Sequence, residues 1–503
     1  MKRRTLLAHL ASCVVIGAST LSLSEPAFAV TIIAAVPETV RVNVSLYGTS
    51  YALIGSTGAM IATTEDGKVL YQGGQRMVAR TNVQRIEGEP VTLPPPREGM
   101  TREEKASRLE LVREARRAAR EAAVTGKLVT IPFEVSLLAG SDDALGTPVL
   151  SAPRVGVIRF VADFGYLNFA GRLFRGILEI TTDDSGDMIV VNQVATSRYL
   201  ASVTGAESPS SWNGEALAAQ AIAARTYLVT HLHRHGTYDL EGDTRDQEYA
   251  GLGTEADSTI RAVERTAGIV ATYRGSPIEA LYSANAGGVT EDSENVYANA
   301  LPYLRSVPSP GDELAKDSGW GKTSWEWNRE FTAPQLGDYL RSRGINVGVP
   351  QRIDLVRVTG AGRVTLARVV GTQGSRDIGK DVTRYYFGLK SSLFTVQFTE
   401  GGEAEWVSWR DTARLVDMGI LGAELIGTTY ERILNEDREL TSIRITGAVY
   451  KLPARVIFYG RGFGHGVGMS QWGAQGMALG GANYEQILKH YYQGIALTNI
   501  GGA

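Results

Sequence analysis

One carboxylate, that of Glu207, lies immediately before a long helical pattern. The order is Ala206, Glu207, Ser208 and Pro209, and the helical pattern begins within the next several residues. This order places Glu207 in a turn that leads into a helix. A carboxyl group partly shielded from water can keep its proton near neutral pH and act as a general acid. The alternative is structural, because an acidic residue before a helix can compensate the positive end of the helix dipole.

The predicted helix after Glu207 carries polar side chains in an otherwise alanine-rich pattern. Its apolar residues at helical spacing are Leu217, Ala221, Ala224 and Leu228. Gln220 and Tyr227 share one face, whereas Arg225 projects from another side. These side chains could bind substrate, or they could hold neighbouring loops through buried hydrogen bonds. Because a guanidinium offers five donors, we expect Arg225 to hold loop carbonyls and Gln220 to lie nearer Glu207.

Three histidines at the end of this pattern, His231, His233 and His235, raise the question of a metal site. We place them at the C-terminal end of the helix, closed by Gly236, with His231 and His235 on one face. Imidazoles at a helix C-terminus more often interact with the helix dipole, and no third ligand is evident beside this pair. We therefore predict no metal site here.

The composition limits the kinds of protein to which these residues can belong. The chain has 503 residues, 51 basic and 54 acidic side chains, a formal net charge of -3 and one cysteine. About 150 residues per domain would give some three units, or one large domain with insertions. The balanced charge gives no long-range attraction to nucleic acid, so we expect no nucleic-acid partner. A single cysteine excludes an intramolecular disulfide and a cysteine-rich zinc cluster.

The N-terminal residues have the pattern of an export signal. Residues 2–4 are basic, an apolar stretch covers residues 6–23, and a small-x-small pattern ends at Ala29. We predict a signal peptide over residues 1–29 and an exported protein of the cell envelope or the extracellular space. A lipoprotein box ending at Cys13 is the less favoured alternative, since the apolar stretch continues past this cysteine. No other stretch is long and apolar enough to predict a transmembrane segment in the mature chain.

The rest of the chain divides by its patterns. Residues 30–93 form a β-rich region of short alternating runs, and residues 94–127 combine a linker with a charged helix over 102–125. Strands resume from residue 128. We predict an α+β fold of mostly antiparallel strands, with a long helix after Glu207.

Five separate segments together resemble one protein family. They are residues 199–207, 216–227, 284–291, 302–307 and 462–474, and their order and spacing agree with the family pattern. In these segments the sequence is similar to the stage II sporulation protein D and amidase enhancer (SpoIID/LytB) family. The resemblance implies a catalytic domain over residues 128–503, in which residues 402–450 look like an insertion.

The resemblance implies a peptidoglycan lytic transglycosylase. Such an enzyme cleaves the β-1,4 bond between N-acetylmuramic acid and N-acetylglucosamine and leaves a 1,6-anhydro end. Glycoside hydrolysis usually needs two carboxylates. Lytic cleavage can use one, which protonates the leaving oxygen and then accepts the proton of the sugar's own C6 hydroxyl. Glu207 matches the family's catalytic position, and the apolar neighbours Val203 and Trp212 could desolvate it.

A glycine-rich run over residues 462–468 is the other polar feature of this region. Glycine tolerates positive φ and close approach of another chain, so we predict a tight loop that presents His465, Ser470 and Gln471 to a groove. Direct sugar contact by His465 and an internal hydrogen bond of its ring are equally good interpretations. For Trp472, a place in the core is favoured over stacking on a sugar.

The resemblance extends to a groove assembled from segments near 207–227, 283–291 and 462–473. The substrate-binding residues that it suggests are Gln220, Arg225, Tyr227, Ser283, Asn285, Gly287, Gly288, Thr290, His465, Ser470 and Gln471. Some family members hold zinc through a cysteine pair before a Gln-x-Tyr motif equivalent to residues 247–249. Here Asp246 precedes Gln247 and no cysteine lies nearby, so we expect neither zinc nor another cofactor.

A second hypothesis comes from the other half of the family name. The protein would then be a non-catalytic, wall-binding enhancer of an N-acetylmuramoyl-L-alanine amidase. In both hypotheses the expected partners are peptidoglycan glycan strands and other cell wall hydrolases, in cell wall remodelling or sporulation. The presence of Glu207 favours the enzyme.

Overall fold

The computed structural model describes most of the chain between residues 35 and 502. The described residues are 35–46, 51–74, 76–83, 133–139, 148–152, 156–182, 187–319, 321–380, 382–399, 405–408, 424–434, 440–451 and 454–502. Within 80–152 and 405–451 only the backbone is described. The predicted signal peptide, residues 1–29, and the predicted charged helix, residues 102–125, lie outside the described residues.

Two large sheets contain strands from both sides of the predicted boundary at residue 128. The seven-stranded sheet has the order Leu240–Glu241, Thr39–Asn43, Met188–Ala195, Ile177–Thr182, Ile158–Ala162, Met60–Thr64 and Val69–Gly73. The six-stranded sheet has the order Arg172–Phe174, Leu167–Phe169, Tyr51–Ser56, Met77–Val83, Phe133–Ala139 and Pro148–Ala152. Neighbouring strands are antiparallel except at the first pair of the larger sheet. The predicted boundary therefore runs through both sheets.

Two consecutive helices follow these sheets. The first is Thr196–Glu207 and the second is Gly214–His231, whose N-cap Asn213 accepts a hydrogen bond from the Glu215 amide. Glu207 is thus the last residue of a helix, and the connection to the next helix starts at Ser208, which is extended. The dipole interpretation of Glu207 is wrong, because a helix C-terminus carries the negative end of the dipole and disfavours a carboxylate.

The second helix ends earlier than the sequence predicts. Leu232 leaves the helical conformation, and His233 has a φ of 60°. His235 therefore lies outside the helix, and the prediction that it shares a helix face with His231 is wrong. Leu232 and His233 carry no helix-stop signal, whereas Gly236 does, which is why the sequence predicts the later end.

The C-terminal half contains small sheets and short helices. One three-stranded sheet has the order Ser276–Pro277, Ile269–Tyr273 and Ala496–Asn499, and a second has the order Glu326–Thr332, Arg455–Arg461 and Phe394–Thr399. A third has the order Pro350–Val358, Val364–Gly371 and Gly374–Gly379. Two short strands, Tyr282–Ser283 and Met469–Ser470, form a parallel pair. Its α-helices are Asp257–Arg265, Ser293–Val296, Lys322–Trp325, Ala333–Arg341, Val382–Phe387, Gln471–Leu479 and Tyr484–Tyr491, and 3-10 helices cover Gly251–Thr254 and Pro310–Asp317.

The segment that looked like an insertion forms a sheet of its own. Its strands Glu405–Ser408, Leu440–Lys451 and Glu424–Leu434 pair in this order and are antiparallel. The α+β class with mainly antiparallel strands is confirmed. In the part of the chain that the structure describes, no helix is both long and apolar enough to cross a bilayer.

The helix Gly214–His231 lies between two hydrophobic cores. Ala221 and Ala224 pack in a core that includes residues of both large sheets. Ala219 and Ala223, on the other side, pack in a core that includes residues of the last two helices. Alanine lets neighbouring elements approach the helix closely on both sides, which explains why this helix has no apolar stripe of the usual kind. It holds the end of the preceding helix, and with it Glu207, against the C-terminal half.

Candidate active site

The carboxylate of Glu207 is held by three hydrogen-bond donors from distant parts of the chain. The Glu248 amide donates to Oε1 over 3.1 Å, and the Tyr282 hydroxyl donates to the same oxygen over 3.5 Å. Gln471 Nε2 donates to Oε2 over 3.1 Å. Both oxygens therefore have fixed positions. Glu207 itself remains partly exposed, as a group that must reach a ligand requires.

The surroundings of Glu207 favour its protonated form. Burial raises its pKa above the ordinary value, and the nearby charge of Glu248 adds to this effect. The hydrogen bonds from Gln471, the Glu248 amide and Tyr282 oppose it, because they stabilise the carboxylate. A carboxyl group in this balance can both release and recover a proton, which is what acid–base chemistry at one residue needs.

Gln471 reaches Glu207 from the start of a helix. Ser470 is the N-cap of Gln471–Leu479 and accepts a hydrogen bond from the Gly473 amide. The next residue, Gln471, is buried and also donates to Gln220 Oε1 over 3.5 Å. Gln220 is buried in turn, and its Nε2 has no hydrogen-bond partner within the described residues. Gln220 is thus connected to Glu207 through Gln471.

A chain of buried polar side chains supports the other oxygen of Glu207. Tyr199 donates to Gln247 Oε1 over 3.0 Å, and Gln247 Nε2 donates to the Tyr282 hydroxyl over 2.9 Å. Tyr282 then donates to Glu207. Burial raises the pKa of both tyrosines well above the ordinary value, so their hydroxyl groups stay protonated and remain donors. This chain fixes the direction from which Tyr282 meets the carboxylate.

Asp312 ties the glycine-rich loop segment to the segment after Tyr282. Its carboxylate accepts a hydrogen bond from the Ser470 hydroxyl and another from the Gly288 amide, over 3.0 Å. Its backbone carbonyl accepts one from Asn285 Nδ2 over 2.9 Å. Asp312 is fully buried, so these contacts fix the start of the Gln471 helix from within the protein.

The segment from Ser283 to Thr290 contributes mostly structural contacts. Asn285 accepts a hydrogen bond from the Gly287 amide, and Gly287 and Gly288 have φ values of 78° and 100°. Thr290 donates to backbone carbonyls and accepts from the Val307 amide. Ser283 differs from these residues, because its buried Oγ has no hydrogen-bond partner in the described part of the chain. It directly follows Tyr282 and packs against Gly464 of the glycine-rich loop.

Arg225 and Tyr227 point to other parts of the fold. Arg225 is fully buried and donates to the Thr266 hydroxyl, the Ile269 carbonyl and the Val263 carbonyl. Burial lowers its pKa to about 10. The structure thus places Arg225 as a holder of the loop after helix Asp257–Arg265 and not as a substrate contact. Tyr227 donates to Asp246 over 2.9 Å.

The glycine-rich run forms the tight loop that the sequence predicts. Gly462, Gly464, Gly466 and Gly468 all have positive φ. A side chain at Gly464 would start 2.7 Å from the Ser283 Cβ, so this loop packs directly on the segment that follows Tyr282. His465 Nδ1 accepts a hydrogen bond from the Val467 amide over 3.0 Å. Trp472 is buried beside Trp212, with ring centroids 4.9 Å apart, which is the core position that was favoured.

Several residues of the site were missed in the sequence. Tyr199, Tyr282, Glu248 and Asp312 were not among the predicted site residues. Glu248 and Tyr282 donate to Glu207, Tyr199 supports Tyr282 through Gln247, and Asp312 binds Ser470, the residue before Gln471. Gln247 and Glu248 belong to the Gln-x-Tyr motif, which the sequence relates only to the zinc ligands of other family members. The presence of this polar motif without any cysteine is the sequence signal that could have indicated a different role.

The three histidines contact separate carboxylates. His231 Nε2 lies 3.6 Å from Glu279, His233 lies 3.3 Å from Asp239, and His235 lies 3.4 Å from Asp246. Among the residues that the structure describes, no group of three or more His, Cys, Asp or Glu side chains could hold a metal ion.

We expect treatment with a chelator to leave the turnover and the melting temperature unchanged. The reason is that metal binding would stabilise the folded state, so removal of a structural metal lowers the melting temperature. Calorimetry and a metal analysis of the purified protein check this expectation. A stoichiometric metal content together with a lower melting temperature in chelator would show that the histidine region binds metal after all.

Comparisons with known proteins find sporulation and amidase enhancer proteins among those similar to this chain. The family model described as Stage II sporulation protein matches residues 184–273, which include Glu207 and the helix after it. An amidase enhancer of Bacillus subtilis is 30% identical over 312 residues, which cover 58% of this chain and 39% of that protein. The stage II sporulation protein D of Bacillus subtilis is 26% identical over 325 residues, covering 61% and 76%. An uncharacterized protein of Brachyspira hyodysenteriae is 28% identical over 315 residues, covering 62% and 69%.

Proposed function

Because the chain belongs to the stage II sporulation protein D and amidase enhancer family, we propose that it is an exported peptidoglycan lytic transglycosylase. It cleaves the β-1,4 bond between N-acetylmuramic acid and N-acetylglucosamine and leaves 1,6-anhydro ends, in cell wall remodelling or sporulation. The observation that carries the proposal is the Glu207 carboxyl group, whose pKa is raised by burial and which is held at both oxygens by fixed donors.

In the first step, Glu207 acts as the general acid. Its protonated carboxyl donates to the glycosidic oxygen while the bond from that oxygen to the anomeric carbon breaks. The carboxylate that forms is stabilised by Gln471 and by the Glu248 amide, which already point at it. The donors therefore need no rearrangement when the negative charge develops.

In the second step, the same carboxylate acts as the base. It removes the proton of the C6 hydroxyl as this oxygen bonds to the anomeric carbon, so the proton count of Glu207 is restored and no water is consumed. Burial makes this proton transfer to Glu207 more favourable, because it stabilises the protonated carboxyl group relative to the carboxylate. One residue thus completes the cycle.

Two buried polar atoms in the elements next to Glu207 are the best candidates for sugar contacts. Gln220 Nε2 and Ser283 Oγ have no hydrogen-bond partner in the described residues, and an unpaired buried polar group is costly. A hydroxyl or acetamido group of the sugar would satisfy them. The other suggested residues, Asn285, Thr290 and Ser470, already have partners within the fold.

Two substitutions should move the pH profile of turnover in opposite directions. The reaction needs protonated Glu207, so kcat/KM falls as the pH rises through its raised pKa. Glu248→Gln removes a charge that raises this pKa, so the fall moves to lower pH. Gln471→Leu removes a hydrogen bond that lowers it, so the fall moves to higher pH. Profiles of kcat/KM against pH for the three proteins check both shifts.

Glu248→Gln also tests the one-carboxylate mechanism itself. Glu248 is a second carboxylate near Glu207, and ordinary hydrolysis would use such a pair. We expect Glu248→Gln to retain turnover at the pH optimum. A complete loss of turnover at every pH, in a folded protein, would indicate a second catalytic carboxylate and a hydrolase.

The amidase enhancer among the relatives supports a second candidate function, in which the protein binds the wall and stimulates a separate amidase. An incubation of the purified protein with peptidoglycan glycan strands distinguishes the lytic transglycosylase from the enhancer. It is done with and without an N-acetylmuramoyl-L-alanine amidase. We expect anhydro ends from the protein alone. Stimulation of the amidase without any anhydro ends would favour the enhancer.

A further inference from the structure

The chain approaching the glycine-rich loop exposes every second side chain. Tyr459 and Phe463 are 44% and 46% exposed, and Arg461 between them is also exposed, whereas Gly462 is buried. In a strand, successive side chains point to opposite faces. The strand Arg455–Arg461 and its continuation thus present two aromatic rings and a guanidinium toward solvent. Exposed aromatic rings in a row are unusual on a surface that binds nothing.

The strand neighbours of Tyr459 turn this row into a cleft. Tyr459 lies in the central strand of its sheet and is directly opposite Asn328 on one side and Thr395 on the other. All three residues line one cleft, together with Arg461 and Trp327. The cleft therefore combines an exposed aromatic ring with amide, hydroxyl and guanidinium groups. A ligand with flat apolar faces and many hydroxyl groups, such as a sugar, fits that lining.

The row continues toward Glu207. Phe463 and Asn285 exchange backbone hydrogen bonds of 2.8 and 3.1 Å. Beyond them, Ser283 pairs with Ser470, the residue before Gln471. Backbone pairing thus connects the aromatic row with both segments that hold Glu207. Since an extended chain spans about 3.4 Å per residue, the separation of three residues from Tyr282 to Asn285 corresponds to at most about 10 Å.

From this arrangement we infer that Tyr459, Arg461 and Phe463 form a distal binding surface for the glycan strand. Sugar units several positions away from the cleaved bond stack on Tyr459 and Phe463 and bond to Asn328 and Thr395. The inference rests on the proposed substrate but not on its cleavage. The surface makes the protein prefer long glycan strands over short fragments, which reach only the Glu207 site.

Binding measurements in a non-cleaving background test this surface. Full-length Glu207→Gln protein, alone or with Tyr459→Ala or Phe463→Ala, is titrated with long glycan strands and with short muropeptide fragments. We expect each alanine variant to bind long strands about tenfold more weakly, which corresponds to about 1.4 kcal/mol. The affinity for short fragments should not change. Tyr459→Phe, which keeps the ring, should bind long strands like the parent.

The matched control is Tyr385→Ala, because Tyr385 is a 62% exposed tyrosine outside the cleft. Unchanged affinity for long strands in both Tyr459→Ala and Phe463→Ala, or an equal loss in Tyr385→Ala, would overturn the inference. Failure of the proposed activity would look different. If the unmodified protein produced no anhydro ends but Tyr459→Ala still weakened binding of long strands, the surface would stand and the catalytic proposal would fall.

Discussion

Glu207→Gln should lower turnover of glycan strands by about 10²- to 10⁴-fold, the range that a general acid contributes. The amide keeps the shape of the side chain but cannot donate a carboxyl proton. Its one carbonyl oxygen keeps the hydrogen bond from either Gln471 or the Glu248 amide but not both, since these donate to different carboxylate oxygens. The proposed sugar contacts lie on other residues, so glycan binding should persist. Steady-state kinetics together with a binding titration separate the two effects.

The melting temperature of this variant serves as its control. The folded-state pKa of Glu207 is raised, so stability is lost as the pH rises from the unfolded to the folded pKa. At neutral pH the neutral amide should therefore leave the melting temperature unchanged or raise it. Glu264→Gln, at an exposed position of a nearby helix, should leave both turnover and melting temperature unchanged. Near-normal turnover in a folded Glu207→Gln protein would contradict the role of Glu207.

Arg225→Ala should lower the free energy of unfolding by about 3 kcal/mol, since it removes hydrogen bonds to two carbonyl groups and leaves a cavity beside them. The carbonyl groups are those of Val263 and Ile269. Denaturant unfolding of the variant and the parent measures the difference. Arg261→Ala, an exposed arginine of the adjacent helix, is the matched control and should have little effect.

Gln220→Ala should show the opposite pattern. Its side chain contacts Gln471, which contacts Glu207, so turnover should fall while the melting temperature is nearly unchanged. Measuring both quantities for Arg225→Ala and Gln220→Ala decides between the two roles. If Gln220→Ala proved destabilising and Arg225→Ala lost only turnover, the roles of the two residues would be reversed.

The sequence predicts the parts of the site that depend on local pattern. The alanine spacing gave the helix after Glu207, and the alternating glycines gave the loop before Ser470 and Gln471. Both follow from short-range rules, since helical periodicity and positive φ are set by neighbouring residues.

The missed residues depend on contacts between distant segments. Tyr282 reaches Glu207 only because Tyr282–Ser283 pairs with Met469–Ser470, and nothing in a pair of two-residue strands reveals this in sequence. Tyr199 supports the same network through Gln247, which lies 48 residues further along the chain. The strand Thr39–Asn43 was assigned to a separate region for the same reason, since its partner Met188–Ala195 lies far along the chain.

The fate of solvent oxygen tests the central claim most directly. Glycan strands are incubated with the protein in water enriched in oxygen-18, and the new ends are analysed by mass spectrometry. Because the C6 hydroxyl of the sugar is the nucleophile, we predict anhydro ends that contain no oxygen from the solvent, and none of these ends with Glu207→Gln. New reducing ends that carry oxygen-18 would show that water attacks the anomeric carbon, and would contradict the one-carboxylate lytic mechanism.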